Sequence, residues 1–279
     1  MKVSFTDFWW KFNPSKNFFI DACRANNENV VVVEPENAEI IFFSCFGNDH
    51  LKYDAKKIYY TGESTDPNWE NCDYAITFNL NEPEDKHFRL PLWMLYIDWF
   101  NAGNSYNNPQ FMFNPDQLRN NIYYNLEPNY QCVAVFNRDP IGNRTEFLQK
   151  ISKHIQTHAF GEPFVKIPYG EDEKCKVVSQ FKFHMCFENK YKSGYHTEKL
   201  FHAKTCGTVP VYWSAPSYTI DFNPDCCLHL NDFDNVDHLV EEILLVNSDP
   251  TKYAELRDRP LFLKQPSIEP FLNFLGTVL

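Results

Sequence analysis

The sequence is poor in glycine and in positive charge, and both shortages exclude classes of function. Its 279 residues include only 9 glycines, and neither G-x-G-x-x-G nor G-x-x-x-x-G-K-[ST] occurs. This excludes the usual dinucleotide-binding and P-loop sites, and the missing G-x-S-x-G excludes a serine hydrolase of that type. The formal net charge of −11 would repel a polyanion, so no nucleic acid partner is expected. A small anionic ligand is still compatible, because it needs only a few local cations.

Long apolar runs are also missing. The longest, IIFFSCF at 40–46, has the length of a buried strand and falls well short of the ~20 residues that span a bilayer. The first residues, MKVSFTDFWWKF, are interrupted by Asp7 and precede no small-residue cleavage site, so they do not predict a signal peptide. We expect a cytoplasmic protein with no transmembrane segment, and attachment to a membrane surface stays open.

Cysteine and histidine spacings typical of metal or disulfide sites are absent. The nine cysteines are odd in number and form no C-x-x-C, which predicts reduced, structural thiols. His154 and His158 are one helical turn apart in the sequence, but no third ligand accompanies them, so they are interpreted as exposed helix residues rather than a metal site.

Short β-branched and aromatic runs alternate with helical patterns along the whole chain, and a buried helix is predicted over 92–100 after Pro91. Such alternation predicts an α/β protein with parallel sheets. Two series of this kind predict two doubly wound, Rossmann-like domains facing each other across a cleft. The predicted strands are 2–5, 30–33, 39–43, 57–60 and 74–78 in the first series and 131–136, 157–160, 182–187, 208–213 and 226–230 in the second.

The predicted domains are 1–126 and 127–265, followed by a C-terminal helix at 266–279 that could pack back on the first domain. In doubly wound sheets, ligands bind at the carboxyl ends of the strands. Polar residues at those positions are therefore the candidates for a functional site.

One stretch, FKFHMCFENKYKSGYHTEKL at 181–200, places polar residues where a strand gives way to a helix. Glu188 and Asn189 follow the strand, and Thr197 and Glu198 are typical of a helix start, with Thr197 as the N-cap. Lys199 is unfavourable near a positive helix end unless an anion binds there. Position alone leaves a phosphate site and a plain helix start equally open.

Asp232-Phe233-Asp234 has the D-x-D pattern that holds a metal-bound sugar nucleotide in some transferases. The pattern joins a predicted strand to the predicted helix VDHLVEEIL, where Asp and Asn are common caps. Helix capping is the favoured interpretation, and no metal ligand is predicted.

The stretches FKFHMCFEN, GYHTEKLFHA and GTVPVYWSAP, which fall within 181–216, resemble the signature of the α1,3-fucosyltransferases, particularly the short bacterial ones. Weaker similarities lie at YYTGESTDPNWENCDYAITF (59–78), FRLPLWMLY (88–96) and NRDPIGNRTEFLQ (137–149). One departure is Ser214, which stands where the family has a glycine after the aromatic residue. The resemblance implies a GT-B fold, in which an acceptor domain is followed by a domain that binds GDP-fucose. It also implies that the configuration at the anomeric carbon of the transferred sugar is inverted.

The resemblance also implies roles for the residues of the second domain. Lys199 and Arg144 would bind the diphosphate, and Glu198 would accept hydrogen bonds from the ribose hydroxyls. Asn189 and Tyr195 would line the same donor pocket. Glu188 belongs to this donor set either as a pocket residue or as a brace for Lys199 and its loop. The two cations would stabilise the departing GDP, so no cofactor or metal ion is required.

The base that activates the acceptor hydroxyl is expected in the first domain. Glu63 follows the predicted strand KKIYY and matches the carboxylate that, in this family, takes the proton from the acceptor hydroxyl. This match favours a general base over a turn residue. The resemblance implies an inverting α1,3-fucosyltransferase acting on N-acetylglucosamine in an N-acetyllactosamine-type glycan. A GT-B transferase for another sugar nucleotide and a non-catalytic nucleotide-sugar or glycan-binding module stay open as alternatives.

Overall fold

The computed structural model of the protein describes residues 1–103, 105–106, 109, 112–119, 127–136, 139, 142–161, 164 and 171–279. The chain forms two compact units, Met1–Pro115 with Pro266–Leu279 and Asp116–Gln265. Each unit is built on one parallel sheet, which confirms the predicted α/β class. The predicted boundary at 126/127 involves residues 120–126, which lie outside the described part of the chain.

The first unit contains a six-stranded sheet in the order β2-β1-β3-β4-β5-β6. Its strands are β1 Lys2–Thr6, β2 Val31–Val32, β3 Ile40–Phe43, β4 Lys56–Tyr60, β5 Tyr74–Thr77 and β6 His87–Arg89. All four residues of β3 are buried, as expected for a parallel strand that is covered on both faces.

Two helices of the first unit come from opposite ends of the sequence. Helix α1 spans Phe18–Asn26, and the last helix, which is α7 in chain order, spans Glu269–Val278. The rings of Phe18 and Phe271 stack with centroids 5.5 Å apart, and both side chains are buried. The C-terminal segment is therefore part of the core of the first unit.

The second unit contains a five-stranded sheet in the order β11-β10-β9-β7-β8. Its strands are β7 Tyr130–Val135, β8 Thr157–Phe160, β9 Phe181–Met185, β10 Val209–Tyr212 and β11 Leu228–His229. Its helices are α2 Asn143–Ile151, α3 Glu171–Val178, α4 Glu198–Thr205, α5 Val236–Ser248 and α6 Pro250–Asp258. A buried apolar cluster from β7, β9, β10 and α5 fills the space between sheet and helices.

The helix predicted over 92–100 is wrong. Only a 3₁₀ helix forms, at Leu92–Tyr96, because the backbone at Ile97 becomes extended and pairs with Phe113. Two hydrogen bonds fix this pairing, from the amide of Phe113 to the carbonyl of Tyr96 and from the amide of Asp98 to the carbonyl of Phe113. Pairing between distant segments has replaced the local helical preference.

Two smaller expectations also need correction. Helix α5 is capped by Asn235, whose side chain accepts hydrogen bonds from the amides of Asp237 and His238, and not by Asp232 or Asp234. His158 lies on β8 and packs against the ring of Tyr130, and His154 lies beyond the end of α2 at Ile151, so neither is a helix residue. Within the described ranges, no helix has the length and apolar character needed to cross a membrane.

Candidate active site

The residues predicted to bind the donor converge at the carboxyl end of the second sheet. Strand β9 ends at Met185, and the chain stays paired with its neighbour because the amide of Glu188 donates to the carbonyl of Trp213 at 2.9 Å. Asn189 follows, and helix α4 then begins at Glu198. These residues therefore lie close together between the end of strand β9 and the start of helix α4.

Glu188 is buried, and its carboxylate binds other groups of the protein. Its Oε1 accepts from the amide of Thr197 at 2.8 Å and from the hydroxyl of Tyr212 at 3.0 Å. Its Oε2 accepts from the hydroxyl of Thr197 at 2.7 Å and lies 3.3 Å from Nζ of Lys199. These contacts describe a brace for Lys199 and its loop, one of the two roles predicted for Glu188.

Thr197 occupies the N-cap position of α4, as predicted. Its hydroxyl donates to Glu188 and accepts from Nζ of Lys199 at 2.8 Å, and its side chain caps no helix amide. A capping oxygen accepts from helix amides, but here the hydroxyl oxygen accepts from the ammonium of Lys199 and its O–H donates to the buried carboxylate of Glu188. Thr197 thereby links Glu188 to Lys199.

Lys199 and Glu198 form a charged pair at the start of α4, with Nζ of Lys199 3.6 Å from Oε1 of Glu198. Burial lowers the pKa of Lys199, but the charges of Glu188 and Glu198 outweigh burial and raise it above its ordinary value. Burial raises the pKa of Glu198, but the charges of Lys199 and Lys174 outweigh burial and bring it to about 2. Both groups are therefore ionised near neutral pH.

Arg144 lies in the first turn of α2 and is buried. One of its nitrogens, Nη2, donates to the carbonyl of Phe187 and to Oδ1 of Asn189, the latter at 2.7 Å. Burial lowers the pKa of Arg144, and the charge of Glu188 opposes this effect. A guanidinium stays protonated near neutral pH, so Arg144 contributes a buried positive charge.

The start of α2 is closed by a carboxylate of the protein. Asp139 accepts from the amides of Gly142 at 3.0 Å, Arg144 at 3.4 Å and Thr145 at 2.8 Å. Burial acts to raise the pKa of Asp139, but the hydrogen bond from the side chain of Thr145, together with those from the three amides, outweighs it and lowers the pKa. An anion at this site would therefore meet the side chain of Arg144 rather than the helix amides.

A small opening in the second unit is lined by Arg144, Lys174 and Lys199 together with buried strand residues, including His184 and Cys186. Sequence reasoning missed Lys174, which lies on α3 within the charged run EDEKCK. In the sequence this run looks like a solvated helix face. Nζ of Lys174 lies 3.4 Å from Nδ1 of His202 in α4. The position of Lys174 therefore depends on the packing of α3 against α4, which the sequence does not reveal.

Tyr195 and Ser214 complete this edge of the second unit. Tyr195 is buried two residues before Thr197, and its amide donates to the carbonyl of Lys192 at 3.1 Å. Ser214, where the resemblance predicts a glycine, is also buried. Its Oγ donates to the carbonyl of Ala215 at 3.0 Å and lies 3.4 Å from Nε2 of His229. The hydroxyl is thus accommodated by local hydrogen bonds.

Glu63 lies in the first unit, three residues after the end of β4, and is exposed. Its amide donates to the hydroxyl of Thr61 at 3.0 Å, and its carbonyl accepts from the amide of Thr65 at 2.8 Å. The hydroxyls of Tyr59, Thr61 and Thr65 are also joined to one another. Among the described residues, none forms a hydrogen bond or an ion pair with its carboxylate. The backbone of this turn is fixed, and the carboxylate is left accessible.

Comparisons with known proteins cover both units. A family model described as "Alpha-(1,3)-fucosyltransferase FucT N-terminal domain" matches residues 3–96, and one described as "Glycosyltransferase family 10 (fucosyltransferase) C-term" matches residues 127–258. The Alpha-(1,3)-fucosyltransferase FucT of Helicobacter pylori is 28% identical over an alignment of 280 positions, gaps included, which covers 88% of this chain and 58% of that relative. The 4-galactosyl-N-acetylglucosaminide 3-alpha-L-fucosyltransferase 9 of Mus musculus is 30% identical over 125 residues, or 44% of this chain and 34% of that relative.

A solved structure shares the fold. The crystal structure of an alpha1,3-fucosyltransferase with GDP-fucose matches with a TM-score of 0.74 and 20% identity, covering 99% of this chain and 89% of that chain. The predicted GT-B fold class is therefore confirmed. The chain spans 58% of the length of the bacterial relative and 34% of the mammalian one.

Proposed function

This chain belongs to glycosyltransferase family 10, the fucosyltransferases, and from that premise we propose that it is an inverting α1,3-fucosyltransferase. Its donor is GDP-fucose, and its acceptor is the 3-hydroxyl of N-acetylglucosamine in an N-acetyllactosamine-type glycan. The observation that carries the proposal is the network at the carboxyl end of the second sheet, in which Arg144, Asn189, Glu198 and Lys199 are held by direct contacts and by Glu188.

The network suits a nucleoside diphosphate. Arg144 and Lys199 line the same opening, and a diphosphate there would be bound by two cations that the fold has already positioned. Glu198 is ionised and accepts hydrogen bonds, so it fits the ribose hydroxyls. In this proposal Asn189, which accepts from Arg144, and Tyr195 contact the donor beside this opening. A pocket with these groups distinguishes the sugar nucleotide from other anions.

The transfer itself is a single displacement. The acceptor hydroxyl loses its proton to the carboxylate of Glu63, and its oxygen attacks the anomeric carbon of fucose. The bond between that carbon and the β-phosphate oxygen breaks, and GDP departs with the electron pair. Arg144 and Lys199 stabilise the charge that develops on GDP. Attack from the face opposite GDP inverts the configuration at the anomeric carbon.

In this proposal no metal ion is needed, because side-chain cations carry the leaving-group charge. The D-x-D at 232–234 is used otherwise. Asp234 lies 3.3 Å from Nδ1 of His238 in α5, and Asp232 ends a 3₁₀ helix at Leu230–Asp232.

A glycan array incubated with labelled GDP-fucose tests the donor and the acceptor class together. We expect label on glycans that carry N-acetyllactosamine, and none when N-acetylglucosamine already bears a substituent at its 3-hydroxyl. Parallel titrations with GDP and UDP should show binding of GDP only. Preferential UDP binding, or GDP binding without any transfer across the array, would overturn the proposal in favour of another sugar nucleotide or a non-catalytic module.

A further inference from the structure

Three side chains next to the donor site, two of them buried, form a hydrogen-bonded chain that the proposed mechanism does not use. Nδ1 of His196 lies 2.5 Å from Oδ2 of Asp221, and Nε2 of His196 lies 3.1 Å from Oγ of Ser217. The side chain of His196 is fully buried, and that of Asp221 is 6% exposed. A buried polar chain of this kind is kept only when its members satisfy one another.

The chain joins two segments that are distant in the sequence. His196 immediately precedes Thr197 at the start of α4, whereas Ser217 lies in the 3₁₀ helix Pro216–Ile220 and Asp221 follows it. Oγ of Ser217 also accepts from the amide of Gly194 at 2.8 Å. The 3₁₀ helix therefore holds the turn before α4 at both Gly194 and His196.

Serine hydrolases use the same three groups, Ser, His and Asp, for nucleophilic catalysis. In this protein the ring of His196 is enclosed, so it has no face from which to pass a proton to a substrate. The hydroxyl of Ser217 is already bonded to the amide of Gly194 and to the ring. The arrangement fits a structural brace and not a nucleophile.

Two buried acids thus hold adjacent residues of one turn. Glu188 binds the amide and hydroxyl of Thr197, and Asp221 binds the ring of His196. Tyr195 directly precedes this pair, and Glu198 and Lys199 directly follow it. Any rotation of the turn would move all three of these donor-pocket residues together.

We propose that His196, held by Asp221 and Ser217, is a positioning residue that sets the turn between β9 and α4 for donor binding. The inference rests on the proposed function, because the ligand that benefits is GDP-fucose. A displacement of Lys199 or Tyr195 by a fraction of an ångström would weaken several contacts with GDP-fucose at once. His196 acts through Tyr195 and Lys199 and touches no reacting atom.

The test is GDP titration and donor kinetics on the full chain carrying His196→Phe or Ser217→Ala. Thr219→Ala is the matched control, because it removes an exposed hydroxyl from the same 3₁₀ helix. We expect about ten-fold weaker GDP binding for His196→Phe and about three-fold for Ser217→Ala, the scale of one or two buried hydrogen bonds. KM for GDP-fucose should rise by similar factors with kcat nearly unchanged. His196→Asn, whose amide can still reach Asp221, should recover part of the loss.

A purely structural role would give a different result. It would lower the thermal midpoint and the active fraction while leaving the GDP affinity of the folded molecules unchanged, and that result would overturn the inference. If His196→Phe does not fold, Ser217→Ala and His196→Asn decide the question by the same criterion. Unchanged affinity in variants of a GDP-binding protein overturns this inference alone. Absence of GDP binding by the unsubstituted chain overturns the proposed function as well.

Discussion

The acidic residues at the carboxyl ends of the two sheets differ in burial and in hydrogen bonding. In the second unit, the carboxylate of Glu188 is fully buried and bonded to Thr197, Tyr212 and Lys199. In the first unit, Glu63 is exposed, and its hydrogen bonds to described residues involve its backbone only. A site for a charged ligand needs its cations fixed before the ligand arrives, because buried charges are costly unless they are paired. A general base must instead be accessible to the acceptor hydroxyl and able to accept a proton.

The two ends are also fixed by different means. The second relies on charge, with Arg144, Glu198 and Lys199 in one electrostatic network. The first relies on hydroxyls and close packing, since a Cβ on Gly62 would lie 2.9 Å from the side chain of Leu92. Substitutions in the two regions should therefore have different effects on turnover, stability and GDP binding.

The largest effect is expected for Glu63→Gln, which keeps the shape of the side chain but removes the proton acceptor. Turnover at saturating GDP-fucose and acceptor should fall by about 10²–10⁴-fold. GDP affinity by titration should be unchanged, because the donor residues lie in the other unit. Glu70→Gln, an exposed acid of the same unit, is the control and should keep normal kcat. Normal turnover in Glu63→Gln would assign the base to another carboxylate.

Glu188→Ala should reduce stability rather than activity alone. Removing one partner of a buried charged pair costs about 3–5 kcal/mol in the free energy of unfolding, which urea denaturation measures. Glu63→Gln should change the same quantity by less than about 0.5 kcal/mol, which makes it the matched comparison. If Glu188→Ala lowers the free energy of unfolding by less than about 1 kcal/mol, the bracing role is contradicted. Glu188 would then be assigned to the donor pocket instead.

Lys199→Ala and Arg144→Ala test the diphosphate site. Each removes a charged hydrogen-bond donor, so GDP binding should weaken by about 1.5–3 kcal/mol. Lys190→Ala, which removes an exposed lysine from the same loop, should leave the titration unchanged. Unaltered GDP affinity in both site variants would rule out the proposed phosphate contacts.

The smallest effect is expected for metal removal. If Arg144 and Lys199 carry the leaving-group charge, initial rates in excess EDTA should equal those in untreated buffer. A complete loss of activity that Mn²⁺ restores would show that a metal ion is required and that the charge argument fails.

The part of the site that lies between β9 and α4 in the second unit was the more predictable from the sequence. Strand β9, the residues that follow it and the start of α4 lie within 20 consecutive positions, so their proximity follows from local pattern. The 3₁₀ helix at Leu92–Tyr96, the pairing of Thr197 with Glu188 and the position of Lys174 were not predictable in this way. Each depends on a partner supplied by tertiary packing, and a hydrogen bond to a distant segment can override a local preference.

The most direct test of the central claim is the structure of the product made from GDP-fucose and N-acetyllactosamine. Mass spectrometry of the reaction should show the addition of one fucose, and NMR should place it in α linkage on the 3-hydroxyl of N-acetylglucosamine. The same reaction with Glu63→Gln should give little of this product while GDP still binds. Fucose at another hydroxyl, a retained anomeric configuration, or no transfer by a protein that binds GDP would contradict the account.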